Sequence, residues 1–363
     1  MSSVTSNRDQ EKKVVEVVGE VPRAVFGSTF TEHMASITWD DEVGWHDLEV
    51  GPMKPLSLHP ATAVLHYGQE IFEGLKAYRQ ADGSARLFRI QDHAARFRDS
   101  ARRMAMPELS IELFTRACVE LVKADVALLG PRPGDGLYLR PMLISTTPEL
   151  GAGRPSRSYL FMVIACPTPA NAAVNASTSV WVTHEYVRAA RGGTGAVKAG
   201  ANYAQGMIGQ AQARAHNCQQ VAWLDPVQHE YVEELGAMNL FFVFGRDRSS
   251  HLVTPPLSDT ILPGITRRSI LTIAEGLGLS TEERPVSLAE WERLCVESTI
   301  QETFATGTAG GITPVQTVQT MSSEWTIGDG VLYPISSLIG NRLNELQAGV
   351  SSDAHGWLTS LDA

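Results

Sequence analysis

One lysine stands alone among small residues in Arg191-Gly-Gly-Thr-Gly-Ala-Val-Lys-Ala-Gly-Ala-Asn-Tyr203. Small side chains let a backbone lie close to a flat ligand. A lysine crowded there loses hydration, and its pKa falls toward that of a nucleophilic amine. Lys198 is therefore a candidate for covalent chemistry with a carbonyl. A glycine-rich surface turn carrying a solvated lysine is the competing reading. A phosphate-binding P-loop requires Gly-x-x-x-x-Gly-Lys-Ser/Thr, and Val197 before the lysine and Ala199 after it break that pattern.

The run from Glu233 to Phe244 sets carboxylates beside a glycine and an apolar strand. A buried carboxylate can keep a heteroaromatic ring nitrogen protonated, and the ring then works as an electron sink. Taken alone, Glu230, Glu233 and Glu234 read more readily as a solvated acidic turn. Leu262-Pro-Gly-Ile-Thr266 ends a loop and opens a helix, so its N–H groups and the Thr266 hydroxyl can hold a phosphate. Ala305-Thr-Gly-Thr-Ala-Gly-Gly311 offers a second turn of N–H groups, and Arg89 in Leu87-Phe-Arg-Ile90 a bidentate cation. Each of these signals is weak by itself, since Gly-Thr turns and strand-end arginines are common.

At 363 residues the chain that must position these groups exceeds a single core, and two α/β domains are expected. The division runs as a flexible arm over 1–20, a small N-terminal domain over 21–166, a connection over 167–179 and a large C-terminal domain over 180–363. A hairpin is expected from Gly74 to Arg89, turning at Asp82-Gly83. Helices are expected over Gln91–Met104 and from Ser110, an N-cap that puts Phe114, Cys118, Leu121, Val122 and Val126 on one face. Leu137–Thr146 and Tyr159–Cys166 read as buried strands, while Pro22–Met53 shows no clear period. Further on, strands are expected at Ser179–Thr183, Gln220–Leu224, Leu240–Phe244 and Leu252–Thr254. Helices are expected at Tyr203–His216, Thr266–Leu277, Leu288–Val296 and Ser336–Ala348.

Composition narrows the function classes. Thirty basic against 40 acidic residues give a net charge of −10, which argues against a nucleic-acid or anionic-membrane surface. Cys118, Cys166, Cys218 and Cys295 are widely spaced without a Cys-x-x-Cys pair. That speaks against a zinc site or disulfide framework and for a reducing compartment. Met1–Lys13 lacks the apolar core of a signal peptide, and no stretch is apolar for long enough to span a bilayer. A cytoplasmic location is expected. No repeat of solenoid or propeller type is present.

Taken in order, these segments resemble the branched-chain amino acid aminotransferases, within the fold type IV group of pyridoxal-phosphate (PLP) enzymes, from about Phe30 to Trp357. Supporting stretches include His66-Tyr-Gly-Gln-Glu-Ile-Phe-Glu-Gly74, Phe88-Arg-Ile-Gln-Asp-His93 through Ser100-Ala-Arg-Arg103, and Tyr138-Leu-Arg-Pro141. Gly192-Gly-Thr-Gly195, Glu234-Leu-Gly-Ala-Met-Asn239, Leu262–Thr266 and Gly307-Thr-Ala309 complete the set.

The resemblance implies a two-domain α/β (α+β) fold and reversible transfer of the amino group of Leu, Ile or Val to 2-oxoglutarate. The substrates would be small amino acids and 2-oxo acids, with no metal. It makes Lys198 the lysine that carries PLP as a Schiff base and moves the proton at Cα. Tyr203 would bind the phenolic oxygen and Glu234 the pyridine nitrogen. Arg89, Ile265, Thr266 and Thr308 would hold the phosphate. Phe72 and Tyr138 would wall an apolar pocket, Arg140 would take the side-chain carboxylate of glutamate, and Thr308 with Ala309 the α-carboxylate. Tyr67 would serve the neighbouring subunit's pocket, which implies a homodimer.

Three departures bear on substrate range: Ala199-Gly-Ala-Asn-Tyr203 replaces the usual bulkier residue followed by Gly-Gly-Asn-Tyr, Ala237 stands where a hydroxyl or glycine is common, and the connection Pro167–Asn175 is short and lacks an aromatic. An unusual β-branched amino acid is therefore a candidate substrate. The Cys-x-x-Cys of some animal members is replaced by Gly310 and Thr313. Alternatives are a D-amino acid aminotransferase, an aminodeoxychorismate lyase, or a catalytically silent homologue that binds a partner.

Overall fold

Side chains that alternate between apolar and polar along successive strands give the first half of the chain one face for a core and one for chemistry. The computed structural model describes residues 27–363 except Ala152, Ala173, Asn175, Arg248 and Ala363; the arm expected over 1–20 lies outside the described residues. The elements of this half are β1 (His33–Asp40), β2 (Gly44–Pro52), α1 (Ala63–Tyr67), β3 (Glu70–Phe72), β4 (Leu75–Arg79) and β5 (Ala85–Phe88). They continue with α2 (Ile90–Arg103), α3 (Ile111–Ala124), β6 (Gly136–Ser145) and β7 (Ser158–Thr168).

Ile71, Leu75, Ala77, Leu137, Leu139, Leu143, Phe161 and Val163 turn inward and pack with Phe97 of α2 and Phe114 and Leu121 of α3. Glu70, Phe72, Lys76, Tyr138 and Arg140 alternate with them and so project from the opposite face. The expected hairpin is β4–β5, with Gly83 at φ 82° in its turn. Ser110 caps α3 as expected, its hydroxyl accepting the Leu113 N–H at 3.1 Å, a contact worth about 1 kcal/mol.

The second half runs β8 (Thr178–Val182), α4 (Gly200–Ala215), β9 (Gln220–Leu224), β10 (Val232–Leu235), β11 (Met238–Phe244) and β12 (His251–Thr254). After these come α5 (Ile265–Gly276), β13 (Ser280–Glu283), α6 (Leu288–Val296), β14 (Ile300–Gly307), β15 (Gly311–Gln319) and β16 (Glu324–Thr326). The chain ends with α7 (Pro334–Gln347) and β17 (Leu358–Ser360). Strand order is β10-β9-β8-β15-β14-β11-β12-β13, and an added β10–β11 pairing closes the run from β10 to β11 into a ring around Val180, Ala222, Leu240 and Phe242.

The first sheet is ordered β17-β5-β4-β6-β7-β1-β2, with β3 on β6, so the last strand of the chain returns to the first sheet. Between the sheets Tyr78 and Phe88 pack against Phe241, Phe304, Ile270 and Ile339. No helix among the described residues is long and apolar enough to cross a membrane.

Several strands carry no usable pattern in the sequence. β1 is bulged between Ser36 and Thr38, and a bulge interrupts a period of two. β14 buries Glu302, Thr303 and Thr306 alongside Phe304 and Ala305, so polarity does not alternate along it. Glu302 accepts the Ile335 and Ser336 N–H groups at 2.7 and 2.8 Å, capping α7 from another strand. α4 begins at Gly200, three residues before the expected start.

Candidate active site

Lys198 ends the glycine-rich segment immediately before α4, and its backbone is held on both sides. Its N–H donates to Ser100 Oγ of α2 at 3.1 Å, and its carbonyl accepts from the Phe72 N–H of β3 at 3.0 Å. Asn202 ties down the rest of the segment by donating to the Thr194 and Val197 carbonyls at 2.8 and 2.9 Å. The surface-turn alternative fails on these contacts. Lys198 Nζ lies 2.7 Å from the Tyr203 hydroxyl and 4.8 Å from the centre of the Phe72 ring. Crowding by protein atoms strips water from the amine and, with the positive charge of Arg96, lowers its pKa to about 8. Burial raises the Tyr203 phenol to about 12, helped by the negative charge of Glu234.

Glu234 lies on β10 and is buried, which excludes the solvated acidic turn. Its Oε1 accepts from Asn239 Nδ2 at 2.9 Å and from the Leu262 N–H at 3.0 Å. Its Oε2 lies 2.7 Å from Arg188 Nε. Burial dominates and lifts the carboxyl to about 7, against the pull of Arg188 and of the Leu262 N–H. Arg188 also donates to the Gly195 carbonyl at 2.8 Å and to that of Thr260, linking Glu234 to the lysine's own segment.

At the other end, Ile265 and Thr266 open α5 after Gly264, a helix start without a side-chain cap. They line a cavity with Lys76, His93, Asn171, Gly307 and Thr308. Free N–H groups at a helix start suit an anion. Arg89 sits beside this region in left-handed conformation (φ 54°) as the residue before α2. Its guanidinium donates to Asp92 Oδ2 at 2.6 Å and Ser269 Oγ at 2.8 Å and stacks over Trp357. Thr308 and Ala309 form the turn between β14 and β15, with Ala309 exposed.

Phe72, Tyr138 and Arg140 stand together beside the lysine. Arg140 Nη2 donates to the Tyr138 hydroxyl at 3.0 Å, and the guanidinium lies 4.7 Å over the Phe72 ring. Gly74 is required there, because a Cβ would fall 2.0 Å from the Tyr138 oxygen. Tyr67 is not part of this group. It ends α1, 45% exposed, with its hydroxyl on the Leu150 carbonyl at 2.7 Å, beside a separate cavity of about 330 Å³. Ala199 is wholly buried in the first core, so a bulky residue there would displace its neighbours, and Ala237 is exposed in the β10–β11 turn.

Other contributors went unassigned in the sequence. Glu73, wholly buried, accepts from Arg96 Nε and Nη2 at 2.6 and 2.9 Å, from His93 Nδ1 at 2.7 Å and from the Gly74 N–H at 3.0 Å. Arg96 Nη1 also reaches the Pro263 carbonyl at 3.1 Å, bridging to the loop before α5. His93, Arg96 and Ser100 recur at helical spacing on one face of α2, with Arg89 immediately before the helix. That spacing was a usable signal. For Arg188 there was none, since its partners are distant in the chain.

The amino-transferase class IV family profile matches residues 70–318. A branched-chain-amino-acid aminotransferase of Mycolicibacterium smegmatis is 48% identical over 93% of this chain and 92% of its own. The structure of the Escherichia coli branched-chain amino acid aminotransferase superposes over 91% of this chain and 100% of its own, with 28% identity and a TM-score of 0.70. That of the T.th. branched-chain amino acid aminotransferase complexed with N-(5'-phosphopyridoxyl)-L-glutamate covers 90% of this chain and 99% of its own, with 27% identity and a TM-score of 0.71.

Proposed function

The chain belongs to the class IV aminotransferases, among the branched-chain-amino-acid aminotransferases, and from that premise we propose that it exchanges the amino group of leucine, isoleucine or valine with 2-oxoglutarate. The observation that carries this reading is the half-buried Lys198 amine, 2.7 Å from Tyr203 and lowered to about 8. PLP fits the residues present: an amine for its carbonyl, a buried carboxylate for its ring nitrogen, and uncapped N–H groups for its phosphate. When bound, it supplies an electron-withdrawing ring that stabilises the charge left at the substrate Cα.

The residues divide the remaining work. Lys198 holds the cofactor and carries the Cα proton, a task its lowered pKa suits because about a tenth of the amine is neutral at pH 7, far more than for an ordinary lysine. Tyr203 orients that amine. Glu234 holds the ring-nitrogen proton, and Arg89, Ile265, Thr266 and Thr308 hold the phosphate. Phe72 and Tyr138 enclose an aliphatic side chain. Arg140 receives the carboxylate of glutamate, and Thr308 with Ala309 the α-carboxylate.

Tyr67, exposed and with its hydroxyl on the Leu150 carbonyl, serves the pocket of a second copy in a homodimer. Four buried free cysteines support a reducing, cytoplasmic setting. Lys198→Ala is expected to abolish both the yellow colour of the loaded protein and turnover of leucine, isoleucine or valine with 2-oxoglutarate. Full activity in that variant would sink the reading. A donor panel that includes the β-epimer of isoleucine ranks the substrates.

A further inference from the structure

The pocket beside Lys198 must accept an aliphatic side chain and, in the other half-reaction, a carboxylate. Arg140 is the cation for the second task, and it remains charged during the first. Among the described residues no carboxylate lies within 4 Å of its guanidinium, and its Nε is buried without a hydrogen-bond partner. A guanidinium covered by an aliphatic chain loses water and needs compensating charge. Aromatic faces at 4.7 and 5.4 Å (Phe72 and Tyr138) offset part of that loss.

Glu70 is placed to supply the rest. Glu70 and Phe72 share one face of β3 and stand opposite Ile144 and Met142 of β6, while Arg140, further along the same face of β6, lays its guanidinium over the Phe72 ring. The Glu70 carboxylate lies against the first turn of α4. A Cβ added to Gly200 would lie 1.6 Å from Glu70 Oε1, and α4 has no side-chain cap of its own. Burial raises the Glu70 carboxyl, while the Gly200 N–H and the Arg140 charge pull it back toward the ionised form.

We propose that Glu70 is a specificity-determining residue, a carboxylate against the start of α4 that balances Arg140 while an aliphatic side chain fills the pocket and competes with a dicarboxylic substrate for the same cation. The idea rests on the transaminase reading above. A counter-ion of this kind favours the aliphatic half-reaction and opposes the dicarboxylate one, so the two affinities are set against each other.

Glu70→Gln tests it, because the amide keeps the size and polarity of the side chain packed against Gly200 while the charge is gone. The KM for glutamate and 2-oxoglutarate is expected to fall about three- to tenfold, and that for leucine to rise by about as much. Calorimetric binding of two unreactive analogues, glutarate and 4-methylvalerate, is expected to shift in the same opposed directions. In an Arg140→Met background the Glu70→Gln effect on both should vanish.

If Glu70→Gln does not fold, Glu70→Asp carries the test, with the same opposed signs at smaller size. Affinities that move together, or not at all, in an active protein overturn the role of Glu70 and leave the transaminase reading standing. A wild-type protein that transaminates neither substrate class overturns both.

Discussion

Glu73 and Glu234 are both buried carboxylates with an arginine at hand, one on each side of the site, and their acidities move in opposite directions. Glu73 receives four donors from Arg96, His93 and Gly74, and the charges of Arg96 and His93 overcome its burial and hold it below the usual carboxylate range. Glu234 has Asn239 and Leu262 on one oxygen. On the other it has an Arg188 Nε at ion-pair distance that makes no hydrogen bond. There burial wins, and the carboxyl rises to about 7. Equal burial thus yields a permanent anion where the donors saturate both oxygens, and a responsive one where an oxygen is left underserved. The first kind suits a structural anchor, the second a group meant to meet an incoming cation.

The strongest attempt to break this contrast is Glu73→Ala. It strands Arg96 and His93 without their anion and should cost about 3–5 kcal/mol in urea unfolding; a loss below about 1 kcal/mol would remove the anchor role. Glu234→Gln should do the reverse. It should leave urea stability near pH 5 within about 1.5 kcal/mol while slowing single-turnover reaction with leucine on the order of a hundredfold, about 2.7 kcal/mol of barrier. Unchanged single-turnover rates would deny it contact with the reacting system.

pH sharpens the same comparison in the cofactor-free protein. Glu73, depressed when folded, contributes stability above the unfolded carboxyl pKa near 4.5, and that contribution is lost as pH falls through its folded value. Glu234, raised when folded, takes up protons in the folded state between about 4.5 and 7. Its contribution therefore makes stability fall as pH rises across that window, by at most about 1.4 kcal/mol per pH unit. Urea midpoints against pH should lose this component in Glu234→Gln; an unaltered profile would contradict the raised acidity.

The smallest effect expected is on Lys198 itself. Amine-labelling of the cofactor-free protein, read by mass spectrometry, should show a midpoint near pH 8. Arg96→Gln should move it upward, because a nearby positive charge is removed. A midpoint that stays put would confine Arg96 to anchoring Glu73.

What the sequence disclosed divides along the same line between local and distant interactions. Lys198 and Tyr203 share one short segment, and Thr266 and Thr308 stand at glycine-marked turns, so their candidacy was visible before any fold. The amphipathic helices and the β4–β5 hairpin were legible because one face of each is solvated or turns at Asp-Gly. β14 was not, because it buries Glu302 and Thr303, and Glu302 serves a helix start at Ile335. Glu73 was hidden among the apolar neighbours of β3 and β4, and its importance comes from residues a helix away. Arg188 acquires its partner only when β10 folds beside the lysine segment, and nothing in its neighbours announces that.

The return of β17 to the first sheet has a mechanical consequence. The chain passes from one sheet to the other after Thr168 and comes back between α7 and β17, where the Trp357 carbonyl accepts the Arg89 N–H and the Trp357 ring covers its guanidinium. A body tethered by one thread can swing in any direction. Joined by two, it turns chiefly about the line between them, like a door on two pins. The second crossing thereby limits how the two sheets can turn relative to each other, and Arg89 is tied to it through its N–H and its guanidinium.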